Sequence, residues 1–136
     1  MSDSERHPYV VLLDRIIAAA EAGDAADLYN VYADDAVIWH NNDNREQTVE
    51  RNAKVLEAMP RFVSDRRYTD RQVQVFDGGV VQQHVLRGVN VESGEEVALH
   101  ACVVVRVNEE GLITRLDEYI DSGEAAGFGP ASRRTA

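Results

Sequence analysis

Along the first third of the chain apolar residues recur at intervals of three and four, and along the second half they alternate or run together between glycine-marked turns. Tyr9, Leu12, Leu13, Ile16, Ile17 and Ala20 form one stripe of a helix laid on a core. Pro8 suits its first position, and Gly23 stops it as a left-handed cap. Asp24 then caps a second helix with Ala25, Leu28, Tyr29 and Tyr32 inward, ended by Asp34 and Asp35. Residues 36–40 read as a short strand with Ile38 and His40 on one face and Val37 and Trp39 on the other. After a polar loop, Asn44 and Gln47 resemble a capping box that opens a third helix, with Val49, Ala53, Leu56 and Met59 inward and Pro60 closing it.

Strands follow over residues 67–76, 80–91, 97–107 and 112–121, separated by Asp77-Gly78-Gly79, Ser93-Gly94 and Glu110-Gly111. Such short turns predict an antiparallel meander. Residues 102–105 are apolar on both faces, as in a central strand covered on both sides. On the last strand Glu118 lies between Leu116 and Ile120, so an acid points at an apolar surface, while Arg115, Asp117, Tyr119 and Asp121 take the other face. With Ser93-Gly94 as the turn centre, Glu92 faces Glu95 and His84 lies across from Val103. His84, Leu86, Leu99, Ala101, Val103 and Val105 then share a face, with Val85, Arg87, His100, Cys102 and Val104 opposite. A slip of one residue would bring His100 inward in place of His84.

Helices first and a strand meander after predict an α+β domain, with helices on one face of a curved sheet. Its span is residues 9–122, with a frayed N-terminus over 1–8 and a flexible tail over 123–136, where Gly, Ala, Ser and Arg dominate. A chain of 136 residues with 44% hydrophobic content fits one core. The formal charge of -10 and pI near 4.7 repel phosphate backbones and anionic lipids, which argues against nucleic-acid and membrane partners. No stretch approaches the ~20 apolar residues of a membrane span. Cys102 is the single cysteine, read as a packing thiol in a chain suited to the cytoplasm.

Two runs carry a resemblance: AAAEAGDAADLYNVYADDAVIWHN, with a helix, Ala-Gly-Asp, a second helix and Ala-Asp-Asp-Ala entering a strand, and GLITRLDEYID near the end. Over residues 10–121 the chain resembles the nuclear transport factor 2-like superfamily, in its SnoaL-like and ketosteroid-isomerase-like branch. The resemblance implies a cone-shaped, cystatin-like fold, with three N-terminal helices packed in a curved mixed or antiparallel sheet in the order ααβαββββ around an apolar pocket. Members include isomerases, polyketide cyclases, dehydratases, epoxide hydrolases and proteins without catalysis, so fold alone does not settle function.

Residue by residue, the general-base aspartate of the steroid isomerases falls at His40, their oxyanion tyrosine at Ile16 and their oxyanion acid at Val103. Two aliphatics in place of two donors argue against steroid isomerisation by that mechanism. Against the limonene-type epoxide hydrolases, the last-strand aspartate becomes Glu118, the water-positioning pair becomes Ile38 and His40, and their arginine and second aspartate fall near His84 and Leu86. Dehydratase-like members carry a histidine on a cavity strand, as His84 would be.

The candidate catalytic residues are therefore His40, Glu118 and His84, with His40 as general acid or base oriented by Glu118 or His84. The structural alternative is a His40 that bonds the loop over residues 41–44. Ile16, Tyr32, Ile38, Leu86, Ala101, Val103 and Leu116 would line the pocket. Two histidines and a carboxylate could ligate a metal, but they come from separate strands without local ligand spacing, so no metal and no cofactor is expected. The expected partner is a small apolar molecule, acted on by isomerisation, cyclisation, dehydration or epoxide opening; the alternative is a non-catalytic ligand-binding or dimerisation module. Trp39 and Tyr119 on the outer face point to a homodimer through the convex side of the sheet.

Overall fold

Helix α1 spans Pro8–Ala22, where the predicted stripe buries Leu12, Leu13 and Ile17, and the His7 side chain caps it by accepting from Tyr9 N. The structure, a computed structural model, describes residues 6–129. Arg6, within the span expected to fray, pairs with Asp14 at 2.7 Å, whereas residues 1–5 and 130–136 lie outside the described residues. Gly23, at φ 70°, ends α1 with the expected left-handed cap. The last carbonyls of α1 meet Arg66, which is 7% exposed and donates to Ala20 O, Glu21 O and Val63 O. This guanidinium does for the helix C-terminus what solvent would otherwise do.

The second helix, α2, is one turn, Leu28–Val31, and Tyr32 is not part of its stripe. Tyr32 opens strand β1, Tyr32–His40, where it is 4% exposed and pairs with Ile113. Sheet pairing overrides the helical spacing of Tyr32. Asp34 and Asp35 are exposed positions of β1 beside an irregularity in its register, and do not stop a helix. The predicted capping box is also displaced. Residues Arg45–Gln47 form a short strand, β2, against β1, and Thr48 caps helix α3 (Val49–Ala58) by accepting from Arg51 N. Val49, Ala53 and Leu56 are buried as expected, and a turn at Met59–Arg61 closes the helix at Pro60.

Strands β3 (Val63–Phe76), β4 (Gly79–Asn90), β5 (Glu96–Val107) and β6 (Ile113–Ile120) form the predicted antiparallel meander. The sheet runs β2-β1-β6-β5-β4-β3, and it is mixed because β1 pairs with β6 in parallel. Asp65 and Asp70 take positive φ at the two register shifts of β3, bulges that bend this strand. Against β5, His84 pairs with Ala101 and not with Val103. The difference originates at Asn90, 1% exposed, whose Oδ1 accepts from Glu92 N and Ser93 N and so widens the turn. A shift of two residues leaves every side chain on its expected face. His84 is inward and His100, bonded to Glu124 at 2.9 Å, is outward.

After β6 the chain turns through α4 (Ser122–Ala125) and a further turn at Ala126–Phe128. The segment expected to hold at most one helical turn and a flexible tail is tied down this far: Glu124 accepts from His100 N and Gly127 O accepts from Asn90 Nδ2. The core lies between the helices and the inner sheet face, with Leu13, Leu28, Val31, Ile38, Val105 and Ile113 at 2% exposure or less. Among the described residues no helix is long and apolar enough to cross a membrane.

Removing the Arg66 guanidinium strands two buried carbonyls and a third that is partly buried. Arg66→Ala should lower the unfolding free energy by roughly 2–4 kcal/mol, and Arg66→Lys by less, as read from urea denaturation.

Candidate active site

A cavity of about 100 Å³ opens between α1, α3 and the inner face of the sheet, several times the space one water needs. Its walls are mostly apolar, with Ile16, Ile17, Ile38, Leu56, Val103 and Leu116 among them. Polar groups enter from the strands: His40 from β1, Tyr68 from β3, Gln82 and His84 from β4, and Glu118 from β6. Tyr32, at the start of β1, also faces the space.

Of the sequence-predicted residues, His40, His84, Glu118, Ile16, Tyr32, Ile38, Val103 and Leu116 reach this cavity. Leu86 and Ala101 do not line it. Leu86 is buried one inward position beyond His84, paired with Tyr68, and the single methyl of Ala101 sits between His84 and Ile120. Tyr68 and Gln82 were not anticipated. Alternation offered a signal for Gln82, because it shares the inner face with Val80 and His84 as the next polar residue beside the histidine.

His40 and Glu118 are backbone partners in the parallel pairing of β1 with β6, so their side chains leave the sheet on the same side. His40 Nε2 and Glu118 Oε1 are 2.9 Å apart, with about a fifth of each side chain exposed (21% and 23%). The neighbouring loop meets His40 through the backbone, Asn44 N donating to His40 O, while its side chains bond elsewhere: Asn41 accepts from Ile120 N and donates to Ile120 O, and Asn44 accepts from Trp39 Nε1. Burial alone would lower the His40 pKa, but the Glu118 hydrogen bond and charge, with Asp43 behind them, outweigh it and raise it. His40 thus holds its proton further toward neutral pH than a free imidazole.

His84 responds in the opposite direction. Burial is the largest influence and lowers its pKa, the Glu118 charge opposes this, and Arg71 adds to the lowering. Its ring meets Tyr68 edge-on at 4.9 Å, its Nδ1 lies 2.9 Å from Gln82 Nε2, and its buried Nε2 has no hydrogen-bond partner among the described residues. A buried polar atom left so costs about 1–3 kcal/mol. Burial, followed by the Glu118 charge, also pushes the Tyr32 and Tyr68 phenols far up, so both remain protonated. Among the described residues no three His, Cys, Asp or Glu side chains are grouped to hold a metal ion. Cys102, partly exposed on the outer face opposite Tyr119, has its thiol pushed up by burial, which disfavours the thiolate.

A pair of proton carriers at an apolar cavity suits proton transfer to or from a small molecule. The SnoaL-like domain family model matches residues 13–116. Among solved structures, the chain is similar to a candidate SnoaL-like polyketide cyclase from Shewanella putrefaciens CN-32, with 16% identity, a TM-score of 0.77, and 90% of this chain and 86% of that one covered. It is also similar to IdmH, a candidate polyketide cyclase from Streptomyces antibioticus, at 20% identity and TM-score 0.76 over 87% and 95% of the two chains. A protein with a ketosteroid isomerase-like fold from Catenulispora acidiphila DSM 44928 aligns at 15% identity and TM-score 0.74, over 89% and 95%. At these identities the likeness is one of fold. No curated protein matches the chain in sequence.

The two histidines should titrate on opposite sides of 6.5 in an NMR pH titration, His40 above and His84 below. A raised folded pKa means that the His40 contribution to stability is complete below 6.5 and is lost as pH climbs through the folded value. The lowered pKa of His84 acts in reverse, removing stability as pH falls below 6.5, where the unfolded ring takes a proton that the folded one resists. Urea unfolding of His40→Ala across this range should lack the decline on the alkaline side.

Proposed function

The chain belongs to the family of SnoaL-like domains, in the nuclear transport factor 2-like superfamily, and from that premise we propose that it is a cofactor-free acid-base enzyme acting on a small, largely apolar molecule. The observation that carries this reading is the His40–Glu118 contact of 2.9 Å at the wall of an apolar cavity. An imidazole whose pKa is raised by a carboxylate can hand over a proton near neutrality and take one back, while the carboxylate fixes its ring and balances its charge. Glu118, not His84, is the orienting partner of His40. Isomerisation and cyclisation are the favoured reaction types, in keeping with the polyketide cyclase descriptions of two structural neighbours and the ketosteroid isomerase-like fold of a third; water elimination or epoxide opening would use the same proton carriers.

Ile16 and Val103 line the cavity at the places matched to the steroid isomerases' oxyanion donors, so a dienolate would find no such stabilisation from them. The same two side chains favour the rival reading, a ligand-binding module without catalysis. We place the protein in the cytoplasm as a homodimer through the outer sheet face. Supporting the dimer, Tyr119 is 48% exposed there and stands edge-on to Trp39 at 5.2 Å. Tyr119→Arg should then yield a monomer in sedimentation equilibrium.

Turnover screens over epoxides, hydroxyketones and polyketide-like compounds provide the assay. On a substrate found there, His40→Ala and Glu118→Gln should each lower kcat by roughly a hundredfold or more. Wild-type rates in both variants would refute the mechanism, and saturable binding without turnover across the screen would favour the module.

A further inference from the structure

His84 is 5% exposed, lines the cavity, and leaves Nε2 without a partner among the described residues. The chemistry of that atom is set by a chain of contacts leading away from the cavity. Arg71 Nε donates to Gln82 Oε1 at 2.9 Å. A guanidinium can only donate, so this contact identifies the oxygen end of the Gln82 amide. The other end, Gln82 Nε2, therefore donates to His84 Nδ1 at 2.9 Å. With Nδ1 accepting, the neutral ring carries its proton on Nε2. Arg71 is in turn held by Asp14 Oδ1 at 2.7 Å, and Asp14 Oδ2 by Arg6 Nε at 2.7 Å.

We propose that His84 is a tautomer-locked hydrogen-bond donor to the ligand, that Gln82 and Arg71 are its positioning residues, and that the ligand presents an uncharged carbonyl-type oxygen to His84 Nε2. The proposal deepens the enzymatic reading by naming a substrate class for the same cavity. A fixed N–H can serve only an acceptor, which excludes an amine or amide N–H as the group seated there. A carboxylate or phosphate would enter a mostly apolar cavity in which the His40 imidazole is already engaged by Glu118. The rest of the lining is mostly apolar, with Asn52, Tyr32 and Tyr68 as further polar groups, so a ketone or aldehyde with a hydrocarbon body matches it. Burial favours the neutral ring, in agreement with a donor that is not an imidazolium.

The test is long-range proton–nitrogen NMR of histidine-labelled full-length protein at neutral pH, first free and then with two probes of one shape, cyclohexanone and methylenecyclohexane. The free protein should show His84 protonated at Nε2 and bare at Nδ1. Cyclohexanone should move the Nε2 resonance saturably, and methylenecyclohexane should not. Gln82→Leu, at a buried position, and Arg71→Met, at its half-exposed support, should each relax the tautomer preference and weaken cyclohexanone binding roughly three- to tenfold relative to the hydrocarbon. An Nδ1-protonated or doubly protonated His84 in the free protein overturns the proposal. So does an Nε2 resonance that cyclohexanone leaves unmoved up to its solubility limit. Binding without turnover across the substrate screen would defeat the enzymatic reading, and near-wild-type turnover in His40→Ala its mechanism, neither altering these spectra, so the failures are distinguishable.

Discussion

The parallel pairing of β1 with β6 is the constraint on which the site depends. It makes His40 and Glu118 backbone neighbours, so their contact is set by the sheet and not by a search among long side chains. Asn41 extends the pairing past the end of β1, bonding both backbone groups of Ile120 and holding the strand ends in register. With β6 in the middle of the sheet, β5 and β4 follow on its far side and bring Val103, Gln82 and His84 to the same inner surface. The helices then only have to roof this surface.

Two histidines in one cavity are driven apart by their second partners. A carboxylate beside His40 stabilises its cation, whereas an amide beside His84 offers no charge and burial prevails. One ring is thereby suited to carrying a proton and the other to donating a hydrogen bond without losing it. The difference lies in the direct Glu118 contact that His40 has and His84 lacks; the amide that meets His84 belongs to Gln82 and is oriented by Arg71.

Much of this was legible in the chain, for physical reasons that vary by element. The stripe of α1 and the glycine-marked strands are strong periodic signals, and the inner set of β4 and β5 survived an error in the turn because a two-residue shift preserves faces. Tyr32 was misread because one residue at helical spacing also fits the first position of a strand, and only pairing with Ile113 decides between them. Strand β2 gave no warning: Arg45 and Glu46 are exposed, so no buried face marks it. Leu86 and Ala101 share the inner face but not the cavity, whose extent depends on which side chains are bulky enough to bound it. Tyr68 lay beyond reach because the bulges of β3 break the alternation that would have assigned its face.

Asn41 and Ile120 are 79 residues apart in the chain, and between them lie all the strands from β2 to β6. The contact that creates the site is therefore among the most distant in sequence and carries a large loop-closure entropy. Local turns can assemble β3, β4 and β5 early, but β1 has only the three-residue β2 to pair with until β6 is in place. A chain emerging from synthesis would hold Ile38 and His40 without their partners Leu116 and Glu118 until β6 has been made. Closing the sheet and bringing His40 against Glu118 are then one event, so a partly folded molecule does not hold the pair.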